Sequence, residues 1–472
     1  MTEESINIVL SDFIKEYIES GTYAKEEDII SVLVPVLNTM KNNKDATPKE
    51  WVEKIIRENI ETINNFMENH FSPGYTIGIN VGDMDVKLYG GRTRETGIKM
   101  PENALFDIAS MTKLYTQILI CILINQGVFT FDDKISDLDD RFVNLEDLTV
   151  REIFNFGVNL RTPGSLQDFF KGDEALNCLY GTSILSQNKD GENIRGKYCY
   201  TDIGMMVMTE VMERVTGKSY KQLLDEYILS PMNINETYLT IPPKDIDLVT
   251  GTPNAFLGLC NDPKAIAVSG YSGHAGIFAS SDALIKFGKS IPSLLSEEDL
   301  KTLYTPGLIE KRGQMGNTYV PHIKGLDKTL HDVTAPLKAM AYQGSTRVQG
   351  NYGYKEKNGI LIPSYGFTTL LNPCSTSIKT ASKLEKEINE ERKAKGKTPV
   401  RMVRSFGYEH TGEILSMDMR EAIPIGDIDP ITKLNQYTVI RLMFIQKIID
   451  LETKINKNAD SKVKVKKYTG QY

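Results

Sequence analysis

The chain has 472 residues, 40% of them hydrophobic and 25% charged, with a net charge of −7. That length exceeds one ordinary core and points to two or three domains, and the acidic balance argues against nucleic acid or an anionic membrane as the main partner. Five scattered cysteines without a C-x-x-C speak for reduced thiols in a reducing compartment, and five histidines without an H-x-x-x-H pair offer no zinc site.

The first 20 residues carry acids where a signal peptide carries bases, so a cytoplasmic protein is expected. The most apolar run, Ile118 to Ile124, falls far short of the roughly 20 residues that span a bilayer. Residues 1 to about 70 have helical spacing and stop at Ser72-Pro73-Gly74. Tyr75–Val81 alternates into Gly82-Asp83 and on to Val86–Gly91, the pattern of a β-hairpin. Residues 149 to 260 read as mostly helical, with Tyr200 to Val215 the clearest helix, ending at Gly217. From Gly307 to Pro373 the chain is Gly- and Tyr-rich and aperiodic, 379–397 is a run of mixed charge, and Thr438 to Leu451 is an amphipathic helix. Strands early, helices through the middle and a β-like stretch after Val403 predict an α+β protein. Its division is expected as a helical extension at 1–50, a sheet lobe from 51–110 and 400–472, a mainly helical lobe at 111–340, and an inserted segment or lid at 341–399.

Chemistry concentrates at Ser110-Met111-Thr112-Lys113. On a helix, positions i and i+3 share a face, so a hydroxyl opening the helix has an amine stacked beside it. An alkoxide nucleophile needs such a base, provided that the surroundings lower the pKa of the lysine. Tyr200 precedes the clearest helix, where its phenol could relay a proton beside Lys113. Gly270 to Gly276 forms a tight loop, for which packing is the usual reason. His410-Thr411-Gly412 offers small residues on an edge strand, and the amide of Glu413 could join that of Ser110 as a two-donor oxyanion hole.

These segments, in this order, resemble the signature of penicillin-interacting serine enzymes. The chain is similar to their class C branch, which takes in class C β-lactamases, D,D-peptidases, D-aminopeptidases and family VIII esterases. Phe106 to Lys113 (FDIASMTK) resembles that family's FDIASLTK, Tyr200 to Gly217 its Y-S-N…VTG helix, and Gly273 to Phe278 its GHAGLF loop. Pro73 to Gly78 and Gly127 to Ile135 resemble two further family stretches. The resemblance runs well from about residue 70 to 290, is patchy to 451, and leaves out the first 50 or so residues.

The resemblance implies a β-lactamase/transpeptidase-like fold, an antiparallel sheet flanked by helices plus a helical lobe, with the active site between them. It implies Ser110 as the acylated nucleophile, Lys113 as its base partner and Tyr200 as a second proton-transfer group. His410, where many members have lysine, would bind substrate or tune Tyr200. It implies neither metal nor organic cofactor. The expected activity is a serine hydrolase forming an acyl-enzyme from a small ester, amide or short peptide.

Some positions depart from the family pattern. Asp202 replaces the usual asparagine of the Y-x-N element, and ionised beside Lys113 it would raise the lysine's pKa and weaken it as a base. Glu413 puts a charge where relatives have small or apolar residues. The competing reading is therefore a catalytically weakened or inactive binding protein. An α/β-hydrolase elbow at Ser272 fails because His274 stands where glycine is needed. Oligomeric state and exact substrate are not legible here.

Overall fold

The computed structural model describes residues 74–81, 84–94, 97–166, 172–252, 257–296, 337–346, 348–357 and 360–371, with a few isolated positions elsewhere. The helices expected before residue 70 and at 438–451 lie outside the described residues, and so does most of 379–397.

Strands β1 (Gly74–Val81) and β2 (Met84–Gly91) form the hairpin that the alternation predicts, with Val81 opposite Met84. Three more strands complete the main sheet: β3 (Leu337–Gly344), β4 (Val348–Lys357) and β5 (Ile360–Leu371). The five are antiparallel in the order β2-β1-β5-β4-β3, with Tyr75 opposite Leu371 where the early and late segments meet. The reading of 341–399 as an insert or lid is corrected for 341–371, which is integral to the sheet, while almost all of 372–399 lies outside the described residues. Two features hid these strands. Glycines and tyrosines break the hydrophobic alternation, and they stand there because other elements approach closely. At Gly344 a Cβ would fall 2.3 Å from the carbonyl oxygen of Ile108.

Among the described residues the sheet draws its strands from 74–91 and 337–371, and Glu409–His410 pairs with Glu413–Ile414; the rest of 400–472, expected to join the sheet lobe, lies outside the described residues.

The helical lobe is built around α1 (Thr112–Asn125), entered through a 3-10 turn at Ala109–Met111. From Thr112 to Leu123 every residue of α1 is buried, as expected for a helix that is apolar all round. Against it pack α2 (Ile203–Thr216), with its row of buried methionines, and the segment from Tyr220 to Leu229. Gly217 closes α2 in the left-handed region (φ 67°), the terminator read from the sequence. Two further helices matter for the site. The short α3 (Pro263–Val268) is capped by Asp262, and α4 (Ser281–Leu294) is capped by Ser280.

Helix α4 joins the two lobes. Tyr115 of α1 stacks on Phe287 of α4 with ring centroids 3.6 Å apart. On the sheet side, Ser281 and Thr368 share a buried 2.6 Å hydrogen bond, and the Tyr354 hydroxyl donates to the Gly288 carbonyl at 2.6 Å. The main core runs through both lobes, and the Ser110 turn sits at the seam between sheet and helices.

Candidate active site

The Ser110 turn is held from both sides. Ile108 donates to Ile277 at 2.9 Å, and the short strand Phe106–Asp107 pairs with Phe278–Ala279. Ala109 has a φ of 45°, uncommon for a residue with a Cβ, and its amide is caught at 2.8 Å by one oxygen of Asp107. The other oxygen of Asp107 accepts from the Asn261 amide at 2.6 Å, and Thr346 donates to the Asp107 carbonyl at 2.5 Å. One buried carboxylate thus ties the turn carrying the serine to the segment before α3. Burial raises the Asp107 pKa to about 6, against the pull of its two amide donors.

Lys113 is fully buried and donates to three oxygens: Ser110 Oγ at 3.0 Å, the His274 carbonyl at 3.3 Å, and Asp202 Oδ1 at 2.7 Å. Three acceptors suit the three protons of an ammonium. Burial by itself pulls the lysine down and is the largest single influence, but Asp202 and Tyr200 together outweigh it and hold Lys113 above an ordinary lysine. Asp202 responds in the opposite sense. Burial pushes its carboxyl up, and the charges of Lys113, His274 and Lys264 hold it well below the carboxylate range.

Tyr200, 42% exposed, covers this pair. The Lys113 ammonium lies 4.8 Å from its ring centroid, a cation–π distance, and the ring stacks on Phe156 at 5.4 Å. Ser110, Lys113, Tyr200 and Asp202 therefore meet, as the sequence reading expects.

The edge strand is different. The strand lying against the Ser110 turn is β3, which brings Tyr342 and Gly344 there. The Tyr342 phenol is fully buried, and burial followed by nearby Tyr200 raises its pKa well above the phenol range. The expectation that 410–412 flanks Ser110 falls largely outside the described residues. Of His410 and Glu413 only the backbone is described, in the separate two-stranded unit, and Thr411 and Gly412 lie outside the described residues. The signal for β3–β5 was Asn358-Gly359, a hairpin dipeptide between two strand-length runs.

Two residues of the site, Asp262 and Lys264, carry no sequence signature of their own, while His274 stands in the Gly273 to Phe278 stretch. Lys264 Nζ binds the second oxygen of Asp202 at 2.9 Å and lies 3.7 Å from Asp262 Oδ2. His274 Nε2 meets Asp262 Oδ1 at 2.8 Å. Asp202, Asp262 and His274 hold ligand-type atoms within 4.8 Å of one another, and the Lys264 ammonium is the cation paired with both of those carboxylates. Gly273 is explained by contact. Its amide donates to Thr209 at 2.8 Å and its carbonyl accepts from Thr116 at 2.6 Å, where a Cβ would collide with both hydroxyls.

A sequence model of the family described as Beta-lactamase matches residues 60–360. Among curated proteins, penicillin-binding protein 4 of Amycolatopsis lactamdurans is 23% identical over 190 residues, covering 39% of this chain and 48% of that protein. Teichoic acid D-alanine hydrolase of Staphylococcus aureus (strain MRSA252) is 24% identical over 176 residues, 37% of this chain and 43% of that protein. The chain thus spans about half the length of the curated relatives it matches. Among solved structures, simvastatin synthase (LovD) from Aspergillus terreus superposes with a TM-score of 0.51 at 15% identity, covering 70% of this chain and 93% of that one. EstCE1, described as a hydrolase with promiscuous acyltransferase activity, gives 0.50 at 13% identity, with 66% and 92% covered. At such identities the structural likeness speaks for the fold.

Proposed function

The chain belongs to the β-lactamase family, and from that premise we propose that it is a serine hydrolase forming an acyl-enzyme on Ser110 from a small ester, amide or short peptide. The observation that carries this reading is the 3.0 Å contact between Ser110 Oγ and a buried Lys113 Nζ at the start of a helix, roofed by Tyr200. Ser110 Oγ attacks the carbonyl carbon, the tetrahedral intermediate expels the alcohol or amine with a proton, and water then frees the acyl group.

The proton path follows from the charges. A Lys113 that donates all three protons cannot also receive the proton of Ser110. The reactive fraction is the one in which Lys113 has released a proton; it then takes the proton of Ser110, and Tyr200 relays a proton on to the leaving group. Among the described residues β3 pairs on one side only, with β4. Its other edge leaves alternate backbone groups for an extended substrate or an oxyanion. No metal or organic cofactor enters this chemistry.

The relatives' names speak of penicillin binding and of D-alanine hydrolysis from teichoic acid, and we include D-alanyl esters in the substrate class, with other small acyl esters, amides and short peptides. We place the activity in the cytoplasm. Among the described residues no helix is long and apolar enough to cross a membrane, and the described cysteines are all free thiols.

A second reading, a catalytically weakened or binding-only member, is favoured by one observation: Asp202 holds Lys113 as an ammonium. Labelling separates the two. A fluorophosphonate or acylating ester should add mass to Ser110 in the wild type and none in Ser110→Ala. Absence of any adduct would establish the binding-only reading.

A further inference from the structure

The ion pairs behind Ser110 close on themselves. Lys113 binds Asp202, Asp202 binds Lys264, Lys264 lies against Asp262, Asp262 binds the ring of His274, and the His274 carbonyl returns to Lys113. Asp262 also caps α3, accepting from the amides of Lys264 and Ala265 at 2.9 and 3.0 Å, so the far side of the ring is anchored to backbone. Five side chains from α1, the start of α2, α3 and the 270–276 loop form one unit, of which only Ser110–Lys113–Asp202 reaches the nucleophile.

The two oxygens of Asp202 have different partners, Oδ1 on Lys113 at 2.7 Å and Oδ2 on Lys264 at 2.9 Å. We propose that Lys264 is a positioning residue for the Ser110–Lys113 pair: by holding the second oxygen of Asp202, it shares that carboxylate's charge and limits how tightly the proton is kept on Lys113. This rests on the serine-hydrolase reading above.

Two features support it. A carboxylate shared between two ammonium groups attracts each proton less than one devoted to a single ammonium. Lys264 and Lys113 also repel one another: burial first, and the like charge of Lys113 last, pull Lys264 down, while Asp262 and Asp202 hold it above an ordinary lysine. The other titratable groups facing this unit are Tyr200 beside Lys113, Tyr342 from the sheet side, Tyr198 from the segment before α2, and Asp107 and Cys260 next to Asp262. None of them contacts Asp202 Oδ2 within ion-pair distance.

Removing the Lys264 charge leaves Asp202 to Lys113 alone. In Lys264→Gln the acidic limb of the kcat profile should move to higher pH by about one unit, with kcat at neutral pH falling about tenfold and KM little changed. Lys264→Arg should restore the wild-type profile. In the Asp202→Asn background, Lys264→Gln should have no further effect on the limb, because the link through the carboxylate is already gone. A packing role alone would lower folded fraction or raise KM at every pH, in both backgrounds, and would leave the limb in place. Circular dichroism and melting temperature identify folded variants, and Lys264→Met replaces the glutamine variant if that one is unfolded. A wild type that hydrolyses esters with an unmoved limb in the folded Lys264 variants overturns this inference alone. A wild type that neither labels nor hydrolyses overturns the functional reading and this inference with it.

Discussion

Asp202 Oδ1 lies 2.7 Å from Lys113 Nζ, nearer than the 3.0 Å that separates the same nitrogen from Ser110 Oγ. The lysine beside the nucleophile is therefore held first by a carboxylate and only second by the hydroxyl it is placed to assist. Where the family pattern has a neutral amide, this chain has a charge, and the charge sets the resting protonation of the site.

Replacing Asp202 with asparagine keeps the shape and removes the charge. The acidic limb of the pH–rate profile for p-nitrophenyl ester hydrolysis should move to lower pH by a unit or more, roughly tenfold in the neutral fraction of Lys113. Lys113 and Lys264 would lose a shared partner, and stability should fall by about 3 kcal/mol. A profile identical to wild type would show that Asp202 does not govern the lysine.

Lys113→Ala removes the only ammonium in contact with Ser110 Oγ among the described residues. Its kcat/KM should drop by about 10³, corresponding to about 4 kcal/mol of lost transition-state stabilisation. An unchanged rate in steady-state assays would reject Lys113 as part of the machinery.

Asp107 predicts a pH effect of unusual sign. With its pKa raised to about 6 by burial, the folded state binds more protons than the unfolded chain between about pH 4 and 6. Its contribution to stability is therefore present at the acid end of that window and is lost as pH rises through 6, by on the order of 3 kcal/mol. Glu210 and Glu213, raised by burial, act in the same sense. Asp202 and Asp262 are depressed by their cationic neighbours, act in the opposite sense, and lose their contribution only below about pH 4. Urea unfolding at pH 4.5, 5.5 and 6.5 should show a weaker pH dependence in Asp107→Asn than in wild type. Equal slopes in the two proteins would refute the assignment.

Gly344→Ala tests whether β3 is the strand of the site. A methyl 2.3 Å from the Ile108 carbonyl must push β3 away from the Ser110 turn, because the atom it meets is backbone and cannot rotate aside. At least a tenfold loss of kcat/KM is expected in a folded protein. Retention of full activity would remove β3 from the site.

Gly288→Ala is the control for packing without chemistry. Its Cβ would come within 2.0 Å of the buried Tyr352 ring, where α4 crosses the sheet. A loss of about 2 kcal/mol should appear in denaturant unfolding, with the pH profile of the surviving activity unmoved.

What the chain states locally was legible without coordinates. The hairpin at 74–91, the buried helix after Ser110, the Gly217 terminator and the grouping of Ser110, Lys113, Tyr200 and Asp202 follow from period, breakers and motif, each encoded within a few residues. The strands at 337–371 were not. Their glycines and tyrosines break the alternation, and only pairing with β1 across more than 250 positions brings them into the sheet. The partners behind Lys113 were hidden for a related reason. Lys264 and His274 follow Lys113 by more than 150 positions, and an ion pair across that separation leaves no periodic trace; packing of α1, α2 and α3 alone brings the charges within 3 to 4 Å.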